Sequence, residues 1–153
     1  MPPPIGDSFS LELKQKLAKE NFKIKAVLRF YCNVAMKIKR FIFIGIKYYN
    51  SKIALLFINT DVNVNFAPTD ELKAEHIFIE SNGKDYLTND SHIDCTQLII
   101  KSYQEVFSLL ENNPSIHLGV VSDEDHKIIR NKICNSKLIT NSKKKEFGVF
   151  IPN

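Results

Sequence analysis

The feature that most constrains this chain is a pair of uninterrupted apolar runs. Phe41-Ile42-Phe43-Ile44-Gly45-Ile46 is followed, after the polar link Tyr48-Tyr49-Asn50-Ser51-Lys52, by Ile53-Ala54-Leu55-Leu56-Phe57-Ile58-Asn59. Both runs are rich in β-branched and aromatic residues and do not alternate with polar ones, so each predicts a strand buried on both faces. The short link makes the two an antiparallel hairpin.

The flanking patterns are weaker. Residues 8–20 predict a helix, with Phe9, Leu11, Leu13 and Leu17 apolar and Asp7 or Ser8 as the cap. Residues 21–37 read equally as a short strand or a second helix, and 61–71 as a loop. A third strand is expected over 76–80. The Asn-Gly signal in Ser81-Asn82-Gly83-Lys84 turns it into a fourth over 85–88. A fifth strand follows over 91–99. Residues 102–111 form an amphipathic pattern stopped by Asn112-Asn113-Pro114, and 116–121 predict another strand. Ser122 then caps a helix that opens on Asp123-Glu124-Asp125, where acids suit the N-terminus, and runs to about Cys134. Residues 137–145 suggest a short helix or turn, and 147–151 an edge strand. The expected fold class is mainly β with flanking helices (α+β), a small curled antiparallel β-barrel. The 153 residues fit one domain. It divides into a flexible lead (1–7), an N-terminal helical extension (8–36), a barrel core with helices (37–134) and a basic C-terminal segment (135–153).

Charge is unevenly spread. Residues 1–40 carry a balance of +6, 41–126 a balance of −8 and 127–153 a balance of +6. Two readings stand: the basic ends pack beside the acidic middle, or they converge on a surface that binds phosphates. Lysine outnumbers arginine 18 to 3, which singles out Arg29, Arg40 and Arg130.

Several chemistries find no motif. Cys32, Cys95 and Cys134 make neither a disulfide framework nor a Cys-x-x-Cys pair. There is no Gly-rich phosphate loop and no Gly-x-Ser-x-Gly elbow. His76, His92, His117 and His126 have no metal-ligand spacing, so neither metal nor cofactor is expected. His92 and Cys95, three apart on a strand, point to opposite faces. The apolar stretch 26–46 is interrupted by Arg29, Lys37, Lys39 and Arg40, which argues against a membrane span. The opening Met-Pro-Pro-Pro-Ile-Gly-Asp lacks an export signal, so a cytoplasmic location is expected.

Two segments carry candidate chemistry. One is Lys37-Ile38-Lys39-Arg40, before the first buried strand, whose hairpin partner ends in Asn59-Thr60. The other is Thr88-Asn89-Asp90-Ser91-His92-Ile93-Asp94-Cys95. Alternation places Asp90, His92 and Asp94 on one face. A carboxylate beside an imidazole raises its pKa and holds its tautomer. An arginine at a neighbouring strand mouth stabilises phosphorane charge. Together these groups suit acid–base cleavage of an RNA phosphodiester. Arg40, His92 and Asp94 are the catalytic candidates, with Lys39, Asn59, Thr60, Asp90 and Ser91 around the substrate. The same residues also suit a plain turn at Asn89-Asp90-Ser91, with Asp94 bonded to the backbone.

The stretch from Lys39 to Gly45, the hairpin to Leu56-Phe57-Ile58-Asn59-Thr60, the run Asp90 to Leu98, and Leu118-Gly119 before a capped helix together resemble the PemK/MazF-like toxin group over about residues 37–134. That resemblance implies an SH3-like barrel, commonly a homodimer, that cleaves single-stranded RNA without a metal. It maps the family's positions onto Arg40, Thr60 and the Asp94 segment. Phe41 and Leu98 depart from the family pattern, and the first 36 residues have no counterpart in its minimal members. The implied partners are single-stranded RNA and an antitoxin-like peptide. The competing expectation is a non-catalytic barrel that binds a protein partner or nucleic acid.

Overall fold

A computed structural model describes residues 10–47, 51–60 and 69–149. Helix α1 (Leu11–Asn21) starts at Ser10, whose hydroxyl accepts from the Leu13 N–H. Three strands follow: β1 (Ala26–Cys32), β2 (Lys37–Lys47) and β3 (Lys52–Asn59). A short helix α2 (Asp70–Ala74) leads into β4 (His76–Ile79), β5 (Ser91–Asp94) and β6 (Ile99–Ser102). Then come α3 (Tyr103–Asn112), a 3₁₀ turn (Pro114–Ile116), β7 (His117–Val120), α4 (Asp123–Asn135) and α5 (Asn141–Glu146).

The seven strands of the described residues form one curled antiparallel sheet, a half-barrel in the order β4-β5-β3-β2-β1-β7, with β6 joining β3 beside β5. The expected fold class, mainly β with flanking helices in a small curled antiparallel barrel, is the one observed. The two apolar runs pair as anticipated, through Phe41↔Phe57 and Ile42↔Leu56. Because both strands are apolar on both faces, the sheet supports two cores. One gathers Ile42, Leu56, Ile58 and Ile93 with Ile129 and Ile133 of α4. The other gathers Phe41, Phe43, Leu55 and Phe57 with Ala18 of α1 and Val106 and Leu110 of α3.

Several boundaries differ from the sequence expectation. Of the two readings of residues 21–37, a short strand or a second helix, the structure takes the strand: residues 26–32 form β1 and lie inside the sheet between β2 and β7. Residues 85–88 are not a strand. Lys84 closes a turn on Ser81, and Tyr86 and Leu87 bury themselves in the first core, so β4 pairs with β5 instead. The expected fifth strand is broken into β5 and β6 by residues 95–98, and both pieces pair with β3. Residues 147–149 form no strand, yet Phe147 and Val149 fill the core. The remainder of that expected strand, the lead at 1–7 with the caps expected at Asp7 or Ser8, and residues 61–68 of the loop expected over 61–71 lie outside the described residues, while Asp70 and Glu71 open α2.

Gly45 explains how the C-terminal segment comes so close. The β2–β3 register shifts between Phe43 and Gly45. A Cβ at Gly45 would collide with the Phe147 carbonyl oxygen, and that oxygen accepts from the Ile46 N–H at 3.2 Å. Glycine therefore permits a backbone contact that ties β2 to the chain end.

Two half-buried histidines make stability sensitive to acid. The Nε2 atoms of His117 and His126 are enclosed without a partner. Burial, aided by Lys23, holds His117 below its ordinary value of 6.5. Burial, then Lys25 and Arg130, does the same at His126 against an opposing Asp123. A histidine whose folded pKa is depressed favours the native state while neutral, and that contribution is lost as pH falls below the unfolded value. The thermal midpoint should therefore drop between about pH 7.5 and 5.5, and drop less in His126→Gln. A midpoint that stays level over that range, or falls equally in the variant, contradicts this.

Candidate functional site

The candidate residues meet where β2, β3, β5 and β4 end side by side. Asn59 pairs with His92, and His92 with Phe78. Because Arg40 pairs with Ile58, Lys39 falls beside Asn59. Cross-strand partners share a face, and successive residues alternate. Lys39, Asn59, His92 and Phe78 thus form one row on the face that holds Phe41 and Phe57. The Lys39 ammonium donates to Asn59 Oδ1 and stands 5.4 Å from the Phe57 ring centroid. His92 tilts against Phe78 at 5.5 Å between centroids. Phe78 is 56% exposed, so the row ends on an open aromatic ring.

Electrostatics distinguish Lys39 from an ordinary surface lysine. Burial, and then Lys37, hold its ammonium below the usual 10.5, while Cys32 and Asp94 pull the other way. Asp94 lies two residues further along the same face, opposite His76. Its Oδ1 accepts from the Thr96 N–H at 2.8 Å and the Thr96 hydroxyl at 2.5 Å. His76 Nδ1 lies 2.9 Å from the Leu72 carbonyl oxygen, and its Nε2 lies 3.7 Å from Asp94 Oδ1. With Nδ1 donating to Leu72, α2 fixes the ring and aims the second nitrogen at the carboxylate. Cys95 is fully buried, and burial followed by Asp94 pushes its thiol up to about 12, so it is no thiolate nucleophile.

The structure thus brings together Lys39, Asn59 and His92, with Asp94 adjacent. It does not bring Arg40 to them. Arg40 shares its face with Ile58 and Ile93, on the opposite side of the sheet, and its Nε is buried without a partner. Thr60 is exposed just past the end of β3. Asp90 folds back on its own loop: its Oδ1 accepts from the Ser81 N–H at 2.8 Å and hydroxyl at 3.1 Å, which lowers its pKa. Ser91 is buried and donates to the Asn89 carbonyl at 2.8 Å. Asp90 lies outside the strand that carries His92 and Asp94. Both sequence readings of 88–95 are therefore partly present: Asp90, Ser91 and Asp94 hold turns, while His92 is left on the open face.

Sequence reasoning passed over Phe78 and His76. The alternation in His76-Ile77-Phe78-Ile79-Glu80 contains the signal, since it puts His76, Phe78 and Glu80 on the face away from Ile77 and Ile79. Among the described residues, no group of three or more His, Cys, Asp and Glu is arranged to hold a metal. No described helix is long and apolar enough to cross a membrane. No known family model and no curated protein matches the chain. Chemically, the row offers an imidazole, a primary amide and a partly desolvated ammonium in succession, beside an exposed ring on which a base can stack.

Proposed function

We propose that this protein is a toxin-type endoribonuclease that cleaves single-stranded RNA without a metal, on the Phe78–His92–Asn59–Lys39 row. The observation that carries the proposal is the in-register alignment of His92, Asn59 and Lys39 on three adjacent strands. Strands lie roughly 4.8 Å apart, so the first and last of these backbones are separated by roughly 10 Å, and their side chains can converge on one phosphodiester. His92 takes the proton of the ribose 2′-hydroxyl as that oxygen attacks the adjacent phosphorus. Lys39 holds the charge that grows on the phosphorane oxygens, the role expected of Arg40 from sequence. Its depressed pKa also suits it to protonate the departing 5′-oxygen, which leaves a cyclic phosphate and a free 5′-hydroxyl. Asn59 anchors the ammonium and presents its amide to the substrate. An antitoxin-like peptide would silence the enzyme by covering this row.

The competing function is a non-catalytic barrel that holds RNA or a protein. It is favoured by Asp94, whose Oδ1 is spent on Thr96. Incubating the purified protein with single-stranded RNA, with and without EDTA, separates the two. Cleavage that survives EDTA and yields cyclic-phosphate ends supports the enzyme. Intact RNA under both conditions, with growth unaffected by expression, refutes it.

A further inference from the structure

We propose a second RNA-binding site on the opposite face of the sheet, where Arg29 and Arg40 grip one phosphate and Tyr31 stacks one base. Arg29 and Arg40 are direct cross-strand partners in the β1–β2 ribbon. Like charges placed directly opposite each other destabilise a sheet. Nothing in the described residues relieves this pair: neither arginine has an ion-pair or hydrogen-bond partner, and the Arg40 Nε is enclosed yet unsatisfied. Residues 21–60, which contain both strands of this ribbon, hold eight Lys and Arg and no Asp or Glu. Two arginines on directly paired positions, one exposed and one with an enclosed unsatisfied Nε, can together engage the two free oxygens of a phosphodiester in bidentate fashion.

The neighbouring pair on this face is Tyr31 opposite Ile38, with exposures of 55% and 52%. An exposed aromatic next to paired arginines is the combination that single-stranded nucleic acid uses: charge for the backbone and a ring for the base. The site deepens the endoribonuclease proposal by adding a contact outside the reacting row. In this arrangement Arg40 binds RNA and takes no part in the chemical step.

The test measures binding of a fluorescent 2′-O-methyl oligoribonucleotide, which lacks the nucleophile and cannot be cleaved, by anisotropy over a range of salt. Arg29→Gln should weaken binding about fivefold and reduce the salt slope by about one. Tyr31→Ala should weaken it while leaving the slope unchanged. Arg29 is exposed and relieving it removes a repulsion, so Arg29→Gln should melt no lower than wild type. Inorganic phosphate at matched ionic strength should raise the wild-type melting temperature and leave that of Arg29→Gln unmoved. Wild-type-like oligonucleotide binding by both variants overturns the site, as does a wild-type protein that fails to bind the oligonucleotide. Phosphate stabilisation without any Arg29 effect on the oligonucleotide would reduce it to a free-anion site and also overturn the proposal. The reacting row fails separately, through unmodified RNA left intact while Arg29-dependent binding persists.

Discussion

Replacing His92 with alanine is expected to slow RNA cleavage by about a hundredfold to ten-thousandfold, the usual contribution of a positioned acid–base group. Lys39→Met should fall in the same range, because it removes the cation that meets the phosphorane. Neither side chain fills a core, so both variants should keep the circular dichroism of the parent. Arg40→Ala should behave differently. It sits on the other face, so its loss should raise KM while the rate at saturating substrate stays near that of wild type. A single-turnover assay with a fluorogenic oligonucleotide makes the distinction. A His92→Ala protein that cleaves at the parental rate ends the proton-transfer role. An Arg40→Ala protein whose kcat collapses returns the arginine to the reacting centre.

The second large effect concerns the platform beneath the row. Phe41 is fully buried, stacked on Phe30 at 4.5 Å between centroids and tilted against Phe57 at 5.3 Å. Phe41→Ala should cost about 3–5 kcal/mol, the range for deleting a buried aromatic. Domains of this kind have only about 5–15 kcal/mol in total, so the variant should sit close to its unfolding threshold. Urea unfolding followed by far-UV circular dichroism measures the loss. The effect should reach the site as well, since Phe57 lies under the Lys39 ammonium. A loss under about 1 kcal/mol would mean that the aromatic stack is not central to the fold.

What could be read from sequence followed directly from local pattern. The two apolar runs had no alternative to buried strands, and Ser122 with three acids behind it could hardly be anything but a helix start. The Asn21–Lys37 stretch resisted because its turns lie in backbone geometry: Lys25 and Met36 adopt positive φ values of 83° and 55°, which neither residue type advertises. The Asn-Gly signal made 85–88 the return strand of a hairpin, yet Tyr86 and Leu87 prove to be loop residues that plug a core. The site was legible residue by residue but not as a cluster. Lys39 and Arg40 looked like one cationic unit because they adjoin in sequence, yet a two-residue period sends them to opposite faces. Which residues face each other across strands depends on register, and no single segment contains it.

The lysine run near the chain end offers one more consequence. Lys143, Lys144 and Lys145 look alike in sequence, but Lys144 is only 2% exposed. Its ammonium donates to the Cys134 carbonyl at 2.9 Å and the Ser136 carbonyl at 2.8 Å, at the end of α4 where the helix dipole is negative. A positive charge there acts as a bolt: it closes the last turn of α4 and draws in α5, which delivers Phe147 to the glycine notch of β2. Residues 136–149 are consequently part of the folded body and not a trailing basic arm, and any shortened or fused form of this protein has to carry them intact.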